Sequence, residues 1–138
     1  MRRYPRQADP SNYESGRLAN LKALLSAYRN SIRGLELAAR SERAFRQQLI
    51  VLAAGVPAAL IVSDQLWTRV TLIGVLLLVL VVELLNTAIE KLCDHVTPDY
   101  NPAVGAVKDF GSAAVFCTLA LALLIWGAAI VGLWLPSA

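Results

Sequence analysis

The sequence predicts an all-α membrane protein, in which an N-terminal amphipathic surface helix precedes three transmembrane helices. Of its 138 residues 57% are hydrophobic, and this length corresponds to a single domain. Three apolar segments carry the prediction, at Leu49–Val62, from Leu66 onwards and at Phe110–Leu135. We expect residues 1–16 to form a disordered tail, because the stretch is polar and contains two prolines. We expect residues 17–138 to form the one membrane domain.

Apolar residues recur at alternating steps of three and four between Leu18 and Leu35. This spacing is typical of an amphipathic helix, and Lys22, Arg29 and Arg33 flank its apolar stripe. The stripe consists of Leu18, Leu21, Leu25, Tyr28, Ile32 and Leu35. We expect the helix to lie on the membrane surface, held by apolar burial and by anionic lipid. A helix that binds a partner protein is the alternative.

The three apolar segments differ in length, and a helix needs about 20 residues to span a bilayer. Leu49–Val62 has only 14 residues, so the first spanning helix must begin earlier in the chain. Val70–Val82 is an uncharged run of 13 residues, so the second helix spans only if Glu83 lies within or at the edge of the membrane. Phe110–Leu135 has 26 residues without a charge and is long enough by itself.

The distribution of basic residues predicts the orientation in the membrane. Ten of the 13 Lys and Arg residues precede Leu49, whereas residues 136–138 carry no charged side chain. By the positive-inside rule, the N-terminus is cytoplasmic and the C-terminus lies outside. The loop from Lys91 to Asp109 then faces the cytoplasm. Because membrane topology accounts for the basic excess, we expect no nucleic-acid partner.

One face of the second spanning helix carries a row of polar side chains. At about 100° per residue, Glu83, Asn86, Glu90 and Asp94 fall within a stripe about 80° wide. An ionisable residue at membrane depth is energetically costly and therefore indicates a functional site. Polar residues can also bridge transmembrane helices, so helix packing is the alternative interpretation of this row.

Charged residues beside the other two spans are expected near the same face of the membrane. Glu42 precedes the first span, and Lys108 and Asp109 open the third. Carboxylates beside a lysine suit Mg²⁺-assisted phosphoryl transfer, in which oxygen ligands hold the metal and a cation offsets the phosphate charge. Charged residues also flank many membrane helices simply as anchors. The residues alone therefore predict an acidic site without naming its reaction.

Two motifs resemble those of the small bacterial diacylglycerol kinases. They are Glu83-Leu-Leu-Asn-Thr-Ala-Ile-Glu90, followed by Asp94, and Lys108-Asp109-Phe-Gly-Ser-Ala-Ala114. The segment Glu42–Gln47 is similar to the one that precedes the first span in that family. The resemblance covers about Leu21 to Leu135. It implies a homotrimer of three-span subunits in the bacterial inner membrane, with active sites between neighbouring subunits at the cytoplasmic face.

Carried over residue by residue, the resemblance implies ATP-dependent phosphorylation of diacylglycerol to phosphatidic acid. Glu83 is expected to take the proton from the lipid hydroxyl, and Asn86 to position Glu83. Glu42 and Glu90 are expected to hold Mg²⁺ on the ATP phosphates. The residues implied to bind ATP are Glu42, Glu90, Asp99, Tyr100, Asn101, Lys108 and Asp109. The residues implied to contact the lipid are Ala44, Phe45, Arg46, Gln47, Gln48, Glu83 and Ser112.

Three alternatives to this function stay open at the level of sequence. One is a structural membrane subunit whose helices are held together by Asn86 and Glu83. Gly111-Ser-Ala-Ala114 resembles the diacylglycerol branch of the family, whereas Thr87 and the Val96–Tyr100 loop are closer to the related undecaprenol kinases. We favour diacylglycerol as the substrate. A small oligomeric transporter or proton channel that uses Glu83 is the alternative from another functional class, but it leaves Glu42 and Lys108 without a function.

Overall fold

The computed structural model describes the backbone of residues 10–97, 99 and 101–134, and the side chains of these residues from residue 20 onwards. This part of the chain forms four α-helices and no strand. They are α1 (Pro10–Ser41), α2 (Arg43–Val62), α3 (Leu66–Val96) and α4 (Pro102–Gly132). The chain divides into two compact units after Leu37, and the two are described separately.

The first unit contains most of α1, which begins earlier than the predicted end of the tail at residue 16. The backbone is helical from Pro10, and proline suits the first turn of a helix because its missing N–H would have no partner there. Residues 1–9 lie outside the described part, so their disorder stays a prediction. The apolar side chains from Leu21 to Leu35 that define the predicted stripe are exposed. They are therefore available to a lipid surface.

The three helices of the second unit are each long and apolar enough to cross a membrane. This confirms the predicted fold class of an all-α membrane protein with a preceding helix. α2 begins at Arg43, several residues before its apolar run, as its length requires. α3 is continuous from Leu66 to Val96, so Glu83 lies inside the helix rather than at its end.

α4 begins earlier than the charge-free segment that predicted it. The Oδ1 atom of Asn101 accepts the Ala103 N–H at 2.9 Å, and Pro102 occupies the first turn. An asparagine cap followed by proline is a strong helix start, so the helix includes the charged residues before Phe110. It ends at Gly132, and the predicted end of the span at Leu135 lies outside the described residues.

A stripe along α3 supplies three of the seven buried apolar residues among the described side chains. α3 packs against both α2 and α4, and Leu72, Val75 and Val79 are 0%, 5% and 1% exposed. Steps of three and four place these side chains on one face of the helix. Ala122 and Trp126 of α4 pack against this core, and the Trp126 Nε1–H donates to the Leu72 carbonyl at 3.2 Å. The core therefore lies where α3 meets its two neighbours.

Arg69 fixes the short connection between α2 and α3. Its Nε donates to the Ser63 carbonyl at 2.6 Å, and its Nη2 donates to the Leu60 carbonyl at 3.2 Å. The same Nη2 forms an ion pair with Asp64 Oδ1 at 3.0 Å. Carbonyls at the end of a helix lack intrahelical partners, so this one side chain satisfies the end of α2 and holds α3 beside it.

Candidate active site

The buried stripe of α3 changes from apolar to polar after Val79. Glu83, Asn86 and Thr87 are 7%, 8% and 8% exposed, and they are the buried polar residues among the described side chains. Steps of four, three and four lead from Val79 through Glu83 and Asn86 to Glu90, so the polar groups continue the face that packs in the core. Glu90 is half-buried and Asp94 is exposed. The polar row therefore runs from the protein interior to the surface.

The side chain of Asn86, a residue of α3, lies at the contact between α3 and α4. Its Nδ2 donates to Glu90 Oε1 at 3.0 Å, whereas its Oδ1 is buried without a hydrogen-bond partner among the described residues. Gly111 of α4 lies directly against that oxygen, and a Cβ added at this glycine would collide with it. The glycine therefore allows α4 to approach closely, and the Asn86 amide orients the Glu90 carboxylate.

Glu42 connects the start of α2 to this part of α3. It is the N-cap residue of α2, but its side chain makes no capping hydrogen bond. Its Oε1 instead accepts a hydrogen bond from Ser41 Oγ and contacts Lys91 Nζ, both at 2.8 Å. These two contacts, that of Lys91 foremost, hold the pKa of the Glu42 carboxyl below its ordinary value. Glu42 is therefore ionised at neutral pH.

Three carboxylates converge at one end of the three-helix unit. Glu42 and Glu90 both lie close enough to Glu83 to interact with it electrostatically. We call Glu42, Glu83 and Glu90 the carboxylate site. Lys108 of α4 forms an ion pair with Asp94 and lies within electrostatic range of Glu90. The site therefore receives charged groups from α2, α3 and α4.

The structure brings together five of the predicted site residues, namely Glu42, Glu83, Asn86, Glu90 and Lys108. The hydrogen bond of Asn86 goes to Glu90, whereas the family resemblance implies that Asn86 positions Glu83. The predicted residues that are exposed in the chain are Ala44, Arg46, Gln47, Asp99, Asn101, Asp109 and Ser112. Gln48 is half-buried, Phe45 is 1% exposed as part of the core, and Tyr100 lies outside the described residues.

The contacts of two residues of the site, Lys91 and Gly111, were not predicted from the sequence. Lys91 follows Glu90 directly, but no spacing relates it to Glu42, because the two belong to different helices. Gly111 appeared only as part of a motif, and its contact with Asn86 depends on how closely α4 approaches α3. The ion pair of Asp94 with Lys108 could have been predicted from the sequence, because the two residues carry opposite charges and belong to the two motifs that the resemblance brings to one site.

The donor chemistry of the carboxylate site suits a metal that is shared with phosphates. Within the described part of the chain, no group of three or more His, Cys, Asp or Glu side chains is placed to hold a metal ion. Mg²⁺ is usually bound by one or two carboxylates together with waters and substrate phosphates, rather than by a complete protein cage. Glu42 and Glu90 offer oxygen ligands of this kind, so the residues fit Mg²⁺.

The chain is similar to known proteins over most of its length. A family model described as Prokaryotic diacylglycerol kinase matches residues 29–130, a range that contains the carboxylate site. A diacylglycerol kinase of Pseudomonas aeruginosa is 38% identical over 112 residues, which cover 81% of this chain and 91% of that protein. The diacylglycerol kinase of Escherichia coli K12 is 37% identical over 103 residues (75% and 84%). That of Haemophilus influenzae is 31% identical over 107 residues (78% and 91%).

The close approach of Gly111 to Asn86 predicts the effect of Gly111→Ala. The variant should be destabilised by about 1–3 kcal/mol, the usual range for overpacking, because Asn86 cannot move away without losing its hydrogen bond to Glu90. Thermal melting of the detergent-solubilised protein measures this. Gly127→Ala on the same helix is the control, since a Cβ there meets open space and alanine is the better helix former. Equal melting temperatures for the two variants would contradict the inferred contact.

Proposed function

Because the chain belongs to the family of prokaryotic diacylglycerol kinases, we propose that it transfers the γ-phosphoryl group of ATP to the hydroxyl of diacylglycerol, which yields phosphatidic acid. The observation that carries this proposal is the convergence of Glu42, Glu83 and Glu90, with Lys108 in range, at one end of the three-helix unit. The site runs from buried Glu83 to half-buried Glu90. This gradient suits a reaction between a lipid and a water-soluble nucleotide.

Glu83 is the general base of the proposed mechanism. The residue is 7% exposed, and among the described residues no hydrogen bond or ion pair occupies its carboxylate. Its lone pairs are therefore available to accept the hydroxyl proton as the oxygen attacks the γ-phosphorus. General-base catalysis requires such a group within hydrogen-bond reach of the reacting hydroxyl, and the depth of Glu83 in α3 matches a substrate that stays in the membrane.

The nucleotide occupies the more exposed end of the polar row. Glu42 and Glu90 would hold Mg²⁺, and the bound metal would supply positive charge to the phosphate oxygens. Asn86 keeps Glu90 in place through its 3.0 Å hydrogen bond. Lys108 offsets phosphate charge beside them. The remaining residues on the nucleotide side are Asp99, Tyr100, Asn101 and Asp109.

The lipid lies against the start of α2 and the start of α4, where Ala44, Arg46, Gln47, Gln48 and Ser112 contact it. Phe45, which the resemblance also implied, is buried in the core and does not take part. Asp109 and Ser112 are exposed in the single chain. We therefore propose a homotrimer in which a neighbouring subunit covers this face and completes the site. A mass measured by light scattering on the detergent-solubilised protein tests this assembly, and a monomer that is fully active would contradict it.

The proposed orientation places the carboxylate site at the cytoplasmic face of the bacterial inner membrane, because ten basic residues precede Leu49. Cysteines introduced at Ser11 or Ser137, in a background that lacks Cys93 and Cys117, test it. A membrane-impermeant thiol reagent added to spheroplasts should label position 137 and spare position 11. Labelling of position 11 alone would indicate the opposite orientation, in which the carboxylate site faces away from cellular ATP.

Turnover of ATP by the detergent-purified protein, with and without lipid, tests the function itself. We expect phosphate transfer to a dispersed diacylglycerol, and slower transfer to undecaprenol presented in the same micelles. Faster transfer to undecaprenol would assign the alternative substrate. If phosphate is transferred to neither lipid, the kinase proposal is contradicted, and a transporter that uses Glu83 becomes the favoured alternative.

Glu83→Gln is the decisive variant for the mechanism. Glutamine keeps the shape of the side chain but cannot accept the proton, so kcat should fall by about 10²–10⁴-fold, the usual span of general-base catalysis. The melting temperature should be retained or raised, because the change removes a buried acid. Phosphate transfer and a melting curve are measured on the same sample. A well-folded variant with near wild-type turnover would eliminate Glu83 as the base, and an unfolded one would favour a structural role.

Glu42→Gln and Glu90→Gln should each raise the Mg²⁺ concentration required for half-maximal activity, or abolish activity. Each change removes an anionic oxygen that Mg²⁺ prefers as a ligand. Asp64→Asn is the matched control, since this exposed acid pairs with Arg69 in the connection between α2 and α3 and should leave the Mg²⁺ requirement unchanged. Unaltered Mg²⁺ dependence in both glutamine variants would refute the ligand assignment.

A further inference from the structure

Lys91 is a cation of the site that the proposed mechanism does not use. Its Nζ lies 2.8 Å from Glu42 Oε1, and it follows Glu90 directly in α3. Lys91 therefore contacts one of the two proposed metal ligands and is the sequence neighbour of the other. A metal ion and the Lys91 ammonium would both be attracted to the Glu42 carboxylate, and they would compete directly for Oε1, the oxygen that Lys91 contacts.

The surroundings of this ion pair make such an exchange easy. The Lys91 side chain is 58% exposed and that of Glu42 is 26% exposed, and water screens ion pairs of this kind so that they hold only weakly. The lysine ammonium is a compact charge at the end of a flexible four-carbon chain. After separation from Glu42 it can turn to another anion nearby without a change in the backbone of α3.

Lys108 of α4 presents a parallel arrangement. It also forms an ion pair with a carboxylate, that of Asp94, and it also lies near Glu90. Nucleotide phosphates would add several negative charges beside the three glutamates of the carboxylate site. Lysines that leave their carboxylate partners for the phosphates would offset this charge.

We propose that Lys91 is an exchangeable counter-ion of Glu42: it holds the carboxylate in the absence of metal, and it binds the nucleotide phosphates when Glu42 turns to the metal. This inference rests on the proposed function and adds a nucleotide-binding residue to the same site. It has a distinctive consequence, because Lys91 opposes the binding of metal alone and assists the binding of metal with nucleotide.

The two effects are measured separately on the full-length, detergent-solubilised protein. Mn²⁺ alone, followed by electron paramagnetic resonance, reports metal binding. The β,γ-methylene analogue of ATP with Mg²⁺, followed by calorimetry, reports nucleotide binding without turnover. Lys91→Met should tighten Mn²⁺ binding by about two- to fivefold, as expected for the loss of an exposed ion pair. It should weaken binding of the analogue by about tenfold or more, as expected for a lost contact with a charged group.

Three further variants separate exchange from a general effect of charge. Lys91→Arg keeps the positive charge and should retain near wild-type affinity for both probes. Lys108→Met should weaken binding of the analogue and should change Mn²⁺ binding less than Lys91→Met does, because Lys108 pairs with Asp94 and lies only within electrostatic range of the proposed ligand Glu90. In a Glu42→Gln background, Lys91→Met should no longer affect Mn²⁺ binding, since a double-mutant cycle isolates the coupling of the pair.

The outcomes distinguish this inference from the function on which it rests. Opposite shifts for the two probes in Lys91→Met support the exchange, and shifts in one direction, or none, overturn it. A lower melting temperature with both affinities unchanged would assign Lys91 a structural role only and overturn the exchange. If Lys91→Met fails to fold, Lys91→Gln replaces it under the same criteria. A wild-type protein that neither binds the analogue nor phosphorylates diacylglycerol would overturn the proposed function and this inference together.

Discussion

The packing of one stripe of α3 against α2 and α4 is the interaction on which the rest of the structure depends. Leu72, Val75 and Val79 are buried on this stripe, and the same spacing of three and four carries Glu83 and Asn86 into the protein. One residue more or less between Val79 and Glu83 would turn the polar row by about 100°. The apolar core thus determines which way the carboxylates point, even though it takes no part in the chemistry.

The approach of α4 to α3 is a second consequence of the same packing. A hydrogen bond from Trp126 joins α4 to the Leu72 carbonyl within the core. Nearer the start of α4, the absence of a side chain at Gly111 leaves room for Asn86. A buried amide oxygen without a partner is energetically costly, so the stability of this region is lower than an apolar contact would provide. The same packing gives the Asn86 amide one orientation. In this orientation Asn86 holds Glu90 where the buried part of the polar row meets the exposed part.

The length of the apolar runs predicted the spanning helices, and helical spacing predicted the shared face of Glu83, Asn86 and Glu90. Both are properties of one continuous segment of the chain. The start of α4 was missed, since charge-free length takes no account of the Asn101 cap. The partner of Glu42 could not be predicted, because it depends on how separate helices pack. Asn86 could have reached either neighbouring glutamate, and the structure shows it bonded to Glu90. Only the tertiary structure places Lys91 against Glu42.

The balance of charge explains why ion pairs at this site are suited to exchange. Glu42, Glu83, Glu90 and Asp94 bring four carboxylates near one another, and Lys91 and Lys108 bring two ammonium groups. When all six of these groups are ionised, their charges sum to −2, and the guanidinium of Arg46 lies within electrostatic range of Glu42 as well. Phosphates that arrive with the metal add negative charge again, and the lysines are the mobile cations in contact with these carboxylates. In the proposed mechanism the site therefore accommodates a nucleotide by changing the partners of its charges, while the helices that carry them stay in place.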